Sequence, residues 1–150
     1  MSVLSNLQID TKIEDLAEKC AKVLGYKSGF YFIIYDLENN EISQAFRISG
    51  AEESYLQYAI SKMRVAKDDP NAQIINNSCR GVIRYKQAIY VVAGSSPTHD
   101  EAICSYLVLC SDPNRNNKQG QEILAKAKKN RGFLKLNKHF TAIKAPIAKS

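Results

Sequence analysis

The sequence has no tryptophan, only two histidines, and four cysteines without a C-x-x-C spacing. Each shortage removes a class of chemistry. His99 and His139 lie far apart in the chain. No nucleophile elbow, Gly-x-Gly-x-x-Gly or P-loop is present either, so the common hydrolase, dinucleotide and nucleotide-phosphate sites are not encoded in a recognisable form. Cys20, Cys79, Cys104 and Cys110 are scattered, three of them in apolar or periodic surroundings, and read as small hydrophobic thiols rather than metal ligands or a disulfide. No apolar run reaches the length of about 20 residues that spans a bilayer, and the N-terminus lacks a basic segment followed by an apolar core. The expectation is a cytoplasmic protein without a membrane span.

What is present suits a folded domain. The 150 residues are 45% hydrophobic and 24% charged, enough for one globular core. The formal charge of +6 is unevenly spread. Residues 1–112 hold 11 Lys and Arg against 14 Asp and Glu, whereas residues 113–150 hold 10 Lys and Arg against a single Glu. This divides the chain into a near-neutral domain, 1–112, and a basic C-terminal extension, 113–150, an asymmetry that speaks to partners.

Along the chain, Met1–Ile9 reads as a short arm, and Thr11-x-x-Glu14 as a capping box opening a helix that carries Ile13, Leu16, Ala17, Cys20, Val23 and Leu24 and ends at Gly25. On that helix Asp15 and Glu18 share a face, as a solvated charged pair or, less simply, a cation chelate. Gly29–Tyr35 is continuously apolar, as in a central strand covered on both faces. Glu41–Ile48 follows as its antiparallel partner, with Ile42, Phe46 and Ile48 on one parity. Ala51–Ala66 has helical spacing with Glu52 and Glu53 in its first turn, Asp68-Asp69-Pro70 breaks it, and Ala72–Asn76 adds a short strand. Gln119–Lys129 forms a further helix above a lysine-rich face, stopped by Asn130-Arg131-Gly132.

The segment Gly81–Cys110 organises the rest. Val82–Tyr85 and Ala88–Ala93 form a hairpin joined by Lys86-Gln87. Gly94-Ser95-Ser96 turns the chain, Ser96 caps a helix, Pro97 suits its first position, and Asp100 and Glu101 complement its positive end. The fold class is therefore α+β: a mostly antiparallel sheet of about five strands flanked by helices, in the order α-β-β-α-(β)-β-β-α, with a basic helical tail.

Gly81, the run Gly94-Ser95-Ser96-Pro97-Thr98-His99-Asp100-Glu101-Ala102, and upstream Tyr35-Asp36 and Arg47-Ile48-Ser49-Gly50-Ala51 together resemble the motifs of the GlcG/HbpS-like haem-binding (haem-degrading domain) family, over roughly residues 8–112. Two positions depart from the pattern: Ser49 stands where the family has Asp, and Arg80-Gly81-Val82-Ile83 replaces a Gly-Gly-x-Pro strand. The resemblance implies a homo-oligomer and a small-ligand module binding haem, another tetrapyrrole or a small organic acid, without a visible catalytic constellation for turnover. Its polar groups would be Arg47, Gly50, His99, Asp100 and Glu101.

Each of these residues also has a plainer reading. Arg47 could be a surface ion-pair partner, His99 a surface imidazole, and Asp100 and Glu101 helix-dipole carboxylates. The alternative function is a non-enzymatic scaffold or interaction protein whose basic tail binds an acidic partner or, non-specifically, nucleic acid. Ile123, Leu124, Phe133, Leu134, Leu136, Phe140 and Ile143 are too many apolar residues for a free linker, so part of the tail is expected to dock.

Overall fold

A computed structural model describes the backbone of residues 3–69 and 80–140, with side chains from residue 13 onward. The elements are α1 (Val3–Leu24), β1 (Phe30–Asp36), β2 (Glu41–Ile48), α2 (Ser54–Asp68), β3 (Val82–Tyr85), β4 (Ala88–Gly94), α3 (Pro97–Cys110), α4 (Lys118–Ala127) and α5 (Arg131–Phe140). Among the described residues four strands form one antiparallel sheet in the order β2-β1-β4-β3, and five helices flank it. The α+β class and the order of elements agree with the sequence pattern. The short strand expected at Ala72–Asn76, the fifth of the expected sheet, lies outside the described residues.

Strand β1 is apolar throughout because both of its faces are covered. Phe30, Phe32 and Ile34 enter one core with Val92 of β4, α1, α3, α4 and α5. Tyr31, Ile33 and Tyr35 enter a second core with Ile89, Val91 and Ala93 of β4 and with Ala59, Met63 and Ala66 of α2. Among the described residues one helix thus covers one face, and four cover the other.

Strand β2 departs from simple alternation. Ile34 is opposite Gln44 and Tyr35 is opposite Ile42, so Ser43 is an extra residue in the ladder. A one-residue slip moves every later side chain to the other face. Ile42 therefore does not share a face with Phe46 and Ile48; it lies beside Tyr35 and is 43% exposed.

The helix boundaries also shift. Helix α1 begins at Val3 and runs through Thr11, where a capping box was expected to open it. Thr and Asp cost only a few tenths of a kcal/mol inside a helix, about 0.7 at most, so the pair at Asp10-Thr11 does not suffice to stop one. Helix α2 begins at Ser54 with Glu53 as its N-cap, so Glu52 and Glu53 precede its first turn.

The larger change is at residues 128–140. Asn130-Arg131-Gly132 starts α5 as well as following α4, because the Asn130 Oδ1 accepts from Gly132 N at 2.8 Å and Phe133 N at 3.3 Å. Phe133 and Leu136 are fully buried, and Leu124 and Ala127 of α4 join the same core. Packing is continuous across residues 112 and 113, and the basic helices are part of the folded body.

Candidate functional site

Helix α2 presents Ala59, Met63 and Ala66 to the core, and Lys62 falls within that same stripe. Its ammonium, 4% exposed, donates to Arg80 O at 2.6 Å and Val92 O at 3.1 Å, and lies 3.4 Å from Asp100 Oδ2. Asp100 belongs to α3, on the opposite face of the sheet, and is completely buried. Its carboxylate also accepts from Tyr26 Oη at 2.6 Å and from Gly94 N at 3.1 Å. Every partner is fixed by backbone or core packing.

Two glycines open the space for this cluster. A Cβ on Gly81, whose φ is +82°, would stand 2.5 Å from Val92 O and 2.9 Å from Asp100 Cβ. A Cβ on Gly94 would stand 2.1 Å from Tyr26 Oη. Real Cβ atoms do not approach so closely, and φ near +80° suits only glycine. Gly81 and Gly94 thus let two helices from opposite layers meet through one end of the sheet.

The electrostatics follow from burial. Loss of solvent pushes the Asp100 carboxyl above its ordinary range, against the opposing pull of Lys62, Tyr26 and the Gly94 amide. Burial, then the Asp100 bond, raises the Tyr26 phenol far above its ordinary value. Burial likewise raises Cys20 and Cys104 well out of the reactive range, and Cys110 to about 11. Among the described residues no group of three His, Cys, Asp or Glu is placed to hold a metal ion.

The five residues expected at a binding site have separate placements. His99 follows the capping residue Ser96, whose Oγ accepts from His99 N at 3.3 Å, and its ring lies 5.2 Å from that of Tyr26. Glu101 accepts from Asn130 Nδ2 at 3.2 Å and so ties α3 to the start of α5. Arg47 is opposite Tyr31, on the α2 face, and its Nε donates to Ala51 O at 2.6 Å. Gly50 is exposed with φ +67° in the turn after β2.

The two turns do share one end of the sheet. Gly29 separates them: a Cβ there would stand 2.2 Å from Ile48 O, while the Gly29 carbonyl would be 2.7 Å from a Cβ on Gly94. Ser28 and Ser95 also bridge through their hydroxyls at 2.7 Å. Yet Arg47 faces the α2 layer, and His99 sits on Tyr26 in the opposite one. Arg47 and His99 therefore do not converge on one face of the sheet.

The Ser49 departure has a structural cause. Glu18 of α1 accepts from Ser49 N at 3.1 Å and from Ser49 Oγ at 2.8 Å. An aspartate there would set two carboxylates against each other. Asp15, in turn, pairs with Lys19 at 3.0 Å along the helix.

Lys62 and Tyr26 are not among the site residues that the sequence pattern points to. A lysine within the apolar stripe of α2 was the available signal; Tyr26, after the helix-ending Gly25, carried none.

The exposed side of α4, α5 and the turn that joins them is the other concentration of charge. From Lys126 to Lys138 six cations are exposed, at positions 126, 128, 129, 131, 135 and 138, with no acidic residue between them. Among the described residues no helix is long and apolar enough to cross a membrane. Comparisons of the chain with protein-family models, with curated proteins and with solved structures give no match.

Proposed function

We propose that this chain is a non-enzymatic interaction module that holds an acidic macromolecule on the outer face of α4 and α5. The observation that carries this is the six-cation face itself, mounted on helices whose inner sides, including Phe133 and Leu136, are buried in the core. Fixed cations of one sign raise the local concentration of an anionic partner and speed its approach. The buried Lys62–Asp100–Tyr26 cluster serves the fold, since its polar atoms are paired with one another and with backbone.

Self-association belongs to this reading. Ile42, Tyr58 and Val65 are 43%, 40% and 44% exposed, and all lie on β2 or α2, around the singly covered sheet face. Exposed apolar groups gathered on one side favour a homo-oligomer, which light scattering checks against the 16.8 kDa monomer. A cytoplasmic setting also belongs here, since the described thiols Cys20, Cys104 and Cys110 are free.

The test is anisotropy of a labelled acidic probe titrated with the protein at low and high salt. Binding that weakens steeply with salt and is lost when Lys126, Lys128, Lys129, Lys135 and Lys138 become Gln supports the proposal. Equal binding by that variant defeats it.

A second reading rests on the proximity of the Ser49–Ala51 and Gly94–Ser96 turns across Gly29. Following the GlcG/HbpS-like resemblance, this end would take a small organic acid, with Arg47 as its cation. Calorimetry with small carboxylates, comparing the protein with Arg47→Gln, tests it; heat unaffected by the substitution counts against it.

A further inference from the structure

The basic face has one apolar residue at its centre. Leu134 is 47% exposed, and Arg131, Lys135 and Lys138 lie three residues before it and one and four after it. On a helix, positions 131, 134, 135 and 138 form one stripe, here pointing away from the buried Phe133 and Leu136. A single exposed leucine is ordinary on a protein surface. Its setting distinguishes it, because the other exposed large apolar side chains among the described residues lie on β2 or α2, and this one sits within a cationic stripe.

That combination discriminates between anionic partners. A phosphate backbone would engage the cations and leave Leu134 idle. An anionic bilayer attracts cations too, but a helix lying in its interface needs a whole apolar face, and the apolar face of α5 is turned inward. Residues 141–150 add Lys144 and Lys149 and no acid, so they do not complement the stripe in charge.

We infer that the basic stripe of α5 receives an acidic peptide segment in which a large apolar side chain is flanked by Asp or Glu. The apolar side chain packs on Leu134, and the carboxylates meet Arg131, Lys135 and Lys138. This rests on the reading that the α4–α5 face binds an acidic partner and specifies its chemistry. Interfaces of this kind take most of their affinity from a central apolar contact and their selectivity from the charged rim.

Four probes decide it: an oligo-glutamate, a peptide of the same charge with interspersed leucines, a single-stranded oligonucleotide, and phosphatidylserine vesicles. The leucine-containing peptide is expected to bind roughly tenfold more tightly than oligo-glutamate, the gain from partly burying one leucine pair. Leu134→Ala should erase that advantage without changing oligo-glutamate binding, and circular dichroism should be unchanged. An advantage that survives Leu134→Ala overturns the inference, as does tighter binding of the oligonucleotide or the vesicles than of the leucine peptide. If none of the four binds the unmodified protein, the basic-face reading fails as well, so the two failures are told apart.

Discussion

Lys62 and Lys135 carry the same charge in opposite circumstances. Lys62 is 4% exposed, enclosed by Arg80 O, Val92 O and Asp100, with the ring of Tyr58 4.5 Å above it. Lys135 stands exposed on the outside of α5. Burying an ion pair gains little over an apolar pair of the same shape, yet removing one partner strands a charge in low dielectric. Exposed cations cost the fold almost nothing and stay accessible to a partner. Charge inside this protein joins two of its layers; charge outside it is what the proposed acidic partner would meet.

Breaking the buried side should give the largest effects. Asp100→Leu should lower stability by about 3–5 kcal/mol in urea unfolding, because Lys62 keeps its burial and loses its counter-charge. Adding Lys62→Met should restore much of the loss, whereas a single variant as stable as the parent would mean that the cluster contributes nothing. Phe133→Ala should cost a similar ~3–5 kcal/mol if α5 belongs to the core. A loss below about 1 kcal/mol would instead make α5 a loosely held appendage.

Gly81→Ala comes next, at about 1–3 kcal/mol, since it combines a φ of +82° with overlap against Val92 O and Asp100. Thermal unfolding reads it directly; a neutral result would show that the sheet end adapts.

A smaller effect concerns pH. Desolvation pushes the Asp112 carboxyl up, but hydrogen bonds from Lys86 at 2.7 Å and from Tyr85, helped by the Asn114 amide, outweigh it and hold Asp112 below its ordinary value. A depressed carboxyl adds stability that is present above the unfolded pKa of 3.8 and is lost as pH falls through the folded value. Asp100 has the opposite sign: its raised carboxyl favours the folded state most below 3.8, and that contribution fades as pH rises through its folded value. Asp112→Asn should therefore lower stability near neutrality, change it little at the acid end, and so flatten the acid limb of the stability profile. An acid limb unchanged by the substitution would remove Asp112 from the explanation.

Much of the fold was legible because its signals are local. The bounds of β2, the hairpin of β3 and β4, and the Ser96–Pro97 start of α3 follow from alternation, turn length and capping. The bulge at Ser43 was not legible, since nothing in Glu41–Ile48 marks the extra residue. Nor was α5, because Asn130 caps a new helix as readily as it follows an old one. The buried cluster was half legible. Asp100 stood out as a first-turn carboxylate, but its partners come from residues 26 and 62, and sequence patterns do not report contacts at that separation. Gly81, Gly94 and Asp100, which stood out in the sequence as a possible ligand motif, are used here by this packing, while Gly50 stays exposed in its turn.

The most direct measurement compares the parent with a variant in which Lys126, Lys128, Lys129, Lys135 and Lys138 are all Gln. Both are followed by urea unfolding and by binding of a labelled acidic peptide across a salt series. The variant is expected to unfold within about 0.5 kcal/mol of the parent and to lose both its affinity and most of its salt dependence. A variant that unfolds much more easily, or that binds with affinity and salt response unchanged, would contradict the division between charge that builds the fold and charge that recruits a partner.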